Sequence, residues 1–226
     1  MPGYFITATG TEIGKTFCTA GLIRAGRDAG HAFAGIKPVM SGFDAASAAD
    51  CDAAAILSAM GRDVTPRNLA AISPWRFKAP LSPDMAAAAE GRKIDFATLM
   101  AFCEMAVLEA PGVLLIEGVG GVAVPLDERR RVTDWIAGLT LPAVLVAGAY
   151  LGTLSHTITA AEALLTRGIK IEMIIINELE PGPVPAAQTR DVLARHLPGQ
   201  HIAVITQGAK PAMFTPLAMR LAAKFF

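Results

Sequence analysis

Six short apolar runs recur along this chain, and between them lie stretches whose apolar residues fall at helical spacing. The runs cover residues 4–7, 33–39, 113–117, 143–147, 170–177 and 201–205. Several are continuous rather than alternating, as expected of strands covered on both faces. The helical stretches are 15–29, 52–60, 82–90, 95–108, 154–167 and 185–196. This alternation predicts an α/β fold, a mostly parallel sheet with helices on both faces. Gly30, Gly61, Gly91, Gly112 and Gly168 stand just past helices or at the turn into a strand, where a left-handed cap is expected. No repeat or shift of composition divides the 226 residues, so one domain, 1–226, is expected. The one Pro-rich piece, residues 180–185, reads as a loop.

Charge narrows the choice of partners. Twenty Lys and Arg balance twenty Asp and Glu, so no overall field draws in nucleic acid or an anionic membrane. The one basic cluster, Arg129-Arg130-Arg131, follows Asp127-Glu128 and reads as a solvated loop. Cys18, Cys51 and Cys103 lie far apart, which suits a reduced, cytoplasmic protein better than a disulfide framework or a zinc site. No apolar run approaches the roughly 20 residues of a membrane helix.

In sheets of this kind ligands bind beyond the carboxyl ends of the strands, so the residues after each run matter most. The first run leads into Gly10-Thr11-Glu12-Ile13-Gly14-Lys15-Thr16 and then a helix. That is a phosphate cradle. Gly10 and Gly14 are expected to let backbone N–H groups turn toward an anion, and the helix start adds its positive dipole end. Lys15 can reach the β- and γ-phosphates of ATP, and the Thr16 hydroxyl can ligate Mg²⁺. The usual pattern has glycine where this chain has Thr9. Strand, loop and helix in this order make the fold P-loop NTPase-like.

Other strand ends converge on the same edge. Glu117 closes an apolar run and opens Gly118-Val119-Gly120-Gly121, where P-loop enzymes carry a second Mg²⁺-directing group. Lys37, read as the end of the second strand, could neutralise a phosphoryl group in transfer. Asp50 and Asp52 flank Cys51 at a helix start; one is expected to cap the helix and the other to ligate Mg²⁺. No Ser–His–Asp or Cys–His set falls at these ends, so positioning and electrostatics are expected to carry the chemistry.

Over nearly its whole length the chain resembles the dethiobiotin synthetase family. The residues that carry the resemblance are Gly10–Thr16, Lys37-Pro-Val-Met-Ser-Gly42, Asp52, Ala79-Pro-Leu-Ser-Pro83, Glu117-Gly-Val-Gly-Gly121, Val124-Pro-Leu126, Leu151-Gly-Thr-Leu-Ser-His156 and Asn177. The resemblance implies an ATP- and Mg²⁺-dependent homodimer acting on 7,8-diaminononanoate and CO₂ in biotin synthesis. Thr16, Asp52 and Glu117 look like the family's metal ligands, and Lys15 and Lys37 like its phosphate and catalytic lysines. Nucleotide contacts are expected from Glu12, Ile13, Gly14, Lys15, Thr16, Phe17, Asp52, Glu117, Gly118, Val119 and Gly120, with Asn177 reading adenine. Thr11 and Ser41 look like substrate contacts. Gly152 and Ser155 open a helix whose free N–H groups could seat the substrate carboxylate from the other subunit, unless Ser155 is only a cap. The chain departs from the family at Ala8, Gly10 and Ser155, and Thr206-Gln207 stand where a proline-containing adenine contact is expected.

Two other readings use the same motifs. One is a P-loop ATPase switch, whose related type carries an extra lysine early in the loop; here that stretch is Ala8, Thr9 and Gly10. The other is a different amide-forming synthetase on the same scaffold.

Overall fold

The computed structural model describes residues 3–178 and 184–224. In chain order the elements are β1 (Gly3–Ala8), α1 (Lys15–Asp28), β2 (Phe33–Ile36), β3 (Val39–Met40), α2 (Asp52–Ala59), α3 (Pro66–Ile72), β4 (Trp75–Arg76), α4 (Pro83–Ala89) and α5 (Phe96–Glu109). There follow β5 (Val113–Glu117), α6 (Val132–Leu139), β6 (Ala143–Gly148), α7 (Thr153–Leu165), β7 (Ile171–Asn177), α8 (Ala186–His196), β8 (Ile202–Ile205) and α9 (Thr215–Ala222). The Pro-rich loop expected at 180–185 falls mostly outside the described residues.

Among the described residues six strands form one sheet in the order β2-β5-β1-β6-β7-β8, and every pairing is parallel. Central strands such as β1, β5 and β6 are buried along their whole length, which explains their continuous apolar runs. The strand order reverses direction at β1, so the crevice beyond its carboxyl end is the ligand position that topology dictates. Trp135 of α6 is fully buried and meets Phe5 of β1 edge-on, ring centroids 4.8 Å apart. This contact seals one face of the sheet beneath that crevice.

The run read as a strand over 33–39 is split. β2 stops at Ile36; Pro38 has no N–H to continue a ladder, and residues 39–40 join β4 in a separate two-stranded sheet. Lys37 therefore sits just past β2 rather than ending it. Of the five glycines expected at left-handed turns, Gly30, Gly61, Gly91 and Gly168 have positive φ. Gly112 does not. It is needed for space, because a Cβ there would lie 2.2 Å from the Ala32 carbonyl oxygen.

At the amino end of the sheet, Glu172 of β7 is buried and faces three cations. Lys170 and Arg220 lie 3.2 Å away, and Lys224 completes the set. The Tyr4 hydroxyl donates to the Leu221 carbonyl at 3.0 Å. These contacts clasp α9 to the sheet, where Phe214, just before it, packs edge-on against Phe17 of α1.

Candidate active site

The loop between β1 and α1 reaches its shape in a way its glycines do not foretell. Gly14 is left-handed, with φ 92°, but Gly10 is not. The second left-handed residue is Glu12, at φ 58°. A non-glycine residue pays for this conformation, commonly about 1 kcal/mol, and such positions cluster at functional loops. Lys15 Nζ donates to the Gly10 carbonyl at 3.1 Å. Burial lowers the Lys15 pKa to about 8, helped by the nearby charge of Lys37 and opposed by Glu117 and Asp52.

Lys37 is buried beside this loop, and its ammonium group has three partners. It donates to Glu117 Oε1 at 2.6 Å and to the Gly118 carbonyl at 2.9 Å, and it is ion-paired with Asp52 Oδ2 at 3.0 Å. Burial by itself would lower the Lys37 pKa, but Glu117 and Asp52 outweigh it and hold the value above the ordinary lysine range. For Asp52, burial pushes the pKa up, and Lys37 and Thr16 more than reverse this. Thr16 Oγ1 donates to Glu117 Oε1 at 2.7 Å. Glu117 Oε2 is buried and has no hydrogen-bond partner.

These atoms suit a small hard cation. Two carboxylates and a hydroxyl meet, and one carboxylate oxygen is unspent. Among the described residues no cluster of three or more His, Cys, Asp or Glu side chains forms. A cation here would complete its shell from phosphate and water, the habit of Mg²⁺ rather than of a metal caged by protein.

Neither flanking aspartate caps α2. Cys51 is its N-cap and makes no side-chain cap bond; Asp50 is exposed in the preceding 3-10 turn. Asp52, the first helical residue, is instead drawn to Lys37.

A cavity of about 290 Å³ opens above the loop. Thr11, Glu12, Gly14, Lys15, Thr16, Lys37, Ser41, Asp52, Val119 and Gly120 line it, joined by Met40, which sequence reasoning did not select. Met40 could have been found, since it lies between Lys37 and Ser41 in one motif. Relatives now give the site a context. An ATP-dependent dethiobiotin synthetase from Acidiphilium cryptum is 53% identical over 198 residues, spanning 87% of this chain and 89% of that protein. The enzyme of the same name from Methylobacterium nodulans is 42% identical over 217 residues, 94% and 96% of the two chains.

This chain belongs to the dethiobiotin synthetase family.

It is accordingly an ATP-dependent ligase. A family model described as an AAA domain matches residues 2–210. Among solved structures, the septum site-determining protein MinD from Pyrococcus horikoshii, complexed with Mg-ADP, superimposes with a TM-score of 0.55 at 16% identity, over 98% of this chain and 95% of that one. The MinD ATPase of Pyrococcus furiosus gives 0.54 at 15%, over 99% and 98%. At such identity these likenesses show the P-loop fold alone.

The remaining residues singled out in the sequence lie outside the cavity lining. Ile13, Glu117 and Gly118 do not line it, and Phe17 is 44% exposed on α1. Asn177 is buried at the end of β7, and its Nδ2 donates to the Ile13 carbonyl at 3.0 Å. Gly152 and Ser155 are exposed at the start of α7. Gly152 is the N-cap, left-handed at φ 97°, and no side-chain cap bond is made there, so Ser155 is not a cap. Sequence reasoning also missed a contact beside this turn, the Tyr150 hydroxyl 2.8 Å from His156 Nδ1. No helix among the described residues is long and apolar enough to cross a membrane.

Proposed function

We propose that the protein carboxylates 7,8-diaminononanoate with CO₂ and closes the ureido ring of dethiobiotin at the expense of ATP, within biotin synthesis. Residues 1–226 act as one ligase domain. One amine takes CO₂ as a carbamate, losing a proton. A carbamate oxygen displaces ADP from the γ-phosphorus, giving a carbamic-phosphoric anhydride. The second amine then attacks the carbonyl carbon and phosphate leaves. The observation that carries this reading is the cluster of Thr16, Asp52 and Glu117 around buried Lys37, beside the loop of Lys15.

The carbamate is itself the nucleophile, so the protein needs to align reactants and spread charge. Lys15 and the N–H groups of the loop hold the phosphates. Thr16, Asp52 and Glu117 are the residues that would hold Mg²⁺, and the ion would supply positive charge toward the phosphate oxygens. To touch the phosphoryl group Lys37 must release one of its three partners. Asp52 is the candidate, because its side chain is 45% exposed whereas Glu117 is fully buried. Thr11 and Ser41 contact the diamine, and Asn177 reads the base.

The test is phosphate release with Mg·ATP and bicarbonate, with and without the diamine. Release that depends on the diamine is expected. Diamine-indifferent turnover stimulated by protein or DNA would favour the ATPase-switch reading.

We also propose that the enzyme is a homodimer in which the start of α7 from the partner subunit seats the substrate carboxylate. The exposed Leu151, at 84%, beside Gly152 and Ser155 supports a covered face there. Mixing Lys37→Ala with Ser155→Asp tests it. Ser155 is the better target because an Asp at left-handed Gly152 would also strain the backbone. Equal mixing should restore about a quarter of wild-type activity by the arithmetic of a symmetric dimer. No recovery, with heterodimers verified by native mass spectrometry, would mean that each site is built within one chain.

A further inference from the structure

Ser41 is carried on a flap whose two edges are held by different means. On the inner edge Phe77 N–H donates to Met40 O at 2.9 Å, Gly42 N–H to Ala79 O at 3.0 Å and Phe43 N–H to Phe77 O at 2.9 Å. These bonds bracket Ser41. Along a strand, alternate residues turn their backbone groups to opposite edges, so residues 76 and 78 face outward. No third strand pairs with β4 there among the described residues.

Two side chains stand in its place. Glu90 Oε1 accepts the Lys78 N–H at 2.7 Å, and Arg92 Nη1 donates to the Arg76 carbonyl at 3.0 Å. Arg92 Nη1 and Glu90 Oε2 are joined at 3.0 Å, and the guanidinium lies 4.6 Å from the centre of the Phe77 ring. The pair thus supplies one acceptor and one donor, as a neighbouring strand would. Gly91, left-handed at φ 64° just past α4, lets both side chains leave the same turn. Neither residue lines the cavity.

We propose that Glu90 and Arg92 are positioning residues: a surrogate strand that holds residues 75–79, and through them Ser41, in register over the substrate pocket. This rests on the reading of Ser41 as a diamine contact. An exposed ion pair adds little to global stability. Its loss therefore loosens the flap locally and leaves the fold in place. The diamine site feels the loss, whereas the phosphate loop, held by β1 and α1, does not.

The experiment compares Ser41→Ala, Glu90→Ala, Glu90→Gln, Arg92→Ala and Arg92→Lys for diamine KM, ATP KM, Tm and backbone amide exchange. Glu90→Ala and Arg92→Ala should each raise diamine KM about tenfold, the scale of one or two hydrogen bonds, with ATP KM and Tm nearly unchanged. Exchange at Gly42, Phe43 and Lys78 should quicken. Glu90→Gln keeps an acceptor and Arg92→Lys keeps a donor, so both should recover most of the loss. If Ser41→Ala leaves diamine KM unchanged, the reading of Ser41 fails and takes this proposal with it. If Ser41→Ala raises diamine KM while the Glu90 and Arg92 variants do not, the surrogate strand alone is refuted. Equal rises in both KM values with a lowered Tm would make the pair a fold brace and also refute it.

Discussion

The two ends of the central sheet bury opposite charges. At the carboxyl end one cation, Lys37, meets two carboxylates and a carbonyl. At the amino end one anion, Glu172, meets three cations. Both arrangements meet the requirement that a buried charge be paired. They differ in what is left over. Among the described residues Glu117 Oε2 has no hydrogen bond, and the groups around its carboxylate, Thr16, Lys37 and Asp52, line an open cavity. Glu172 Oε1 lacks an aligned hydrogen bond but is ion-paired with Arg220, and none of its partners Lys170, Arg220 and Lys224 lines that cavity. A buried cluster with spare valence can take a ligand; a saturated one can only hold parts together.

Several experiments can break this contrast. The largest effect is expected from Lys37→Ala, with kcat reduced on the order of 10²–10³-fold, the usual scale for a lost charge clamp, and ATP affinity retained. Calorimetric titration showing ATP binding lost, with residual kcat normal, would make Lys37 a ground-state contact. Next come Glu117→Gln and Asp52→Asn. Each should raise the barrier by roughly 2–3 kcal/mol while the fold survives. The deficit should be worst at limiting Mg²⁺; near-normal rates in both variants there would remove the metal assignment.

At the other end Glu172→Gln should leave kcat alone and cost about 1–3 kcal/mol of stability, since its cations are part-exposed and lose less than a fully buried partner would. Burial pushes the Glu172 pKa up, but Lys224 and Lys170 outweigh it and hold the carboxyl below the ordinary glutamate range. Its contribution is complete above the unfolded value, about 4.3, and fades as pH falls through the lower folded value. Denaturant melts below pH 5 should show a shallower acid limb in the variant; an unchanged limb would acquit Glu172.

A smaller effect concerns Lys15. With its pKa near 8 in the free protein, it carries its full charge only below that pH. ATP prefers the charged form, so affinity should decline above pH 8, by at most about tenfold per pH unit. Flat affinity from pH 7.5 to 9.5 would contradict this. The smallest effect belongs to Lys170→Ala. That side chain is 65% exposed, and the expected loss is below about 1 kcal/mol by thermal melting.

The contrast was half legible beforehand. Glu117, Lys15 and Thr16 could be chosen because a parallel sheet gathers the residues after its strands at one edge, a rule that needs only the order of apolar runs. Glu172 gave no such signal. It is a carboxylate inside an apolar run, and its partners Arg220, from α9, and Lys224, just past it, lie far along the chain. α3, α6 and α9 were also overlooked. They are seven or eight residues long, but so are α2 and α4, which were read, so length alone does not account for the omission. β3 and β4 have two residues each, and their pairing depends on contacts between distant segments. In the phosphate loop the glycine at position 10 drew attention from Glu12, whose left-handed turn is imposed by the surrounding fold.

The bond from Asn177 to the Ile13 carbonyl has a consequence for how this site could diverge. The side chain proposed to choose the base also steadies the loop proposed to grip the phosphates. A substitution there alters two properties in one stroke, so a lineage that drifts toward another nucleotide is penalised before the new base offers any advantage. Thr206 and Gln207 are exposed just past β8, and among the described residues neither is hydrogen-bonded to that loop. Change in nucleotide preference is therefore expected to accumulate at 206 and 207 while position 177 stays frozen, and a library randomised at both places should return asparagine at 177 far more often than any single residue at 206.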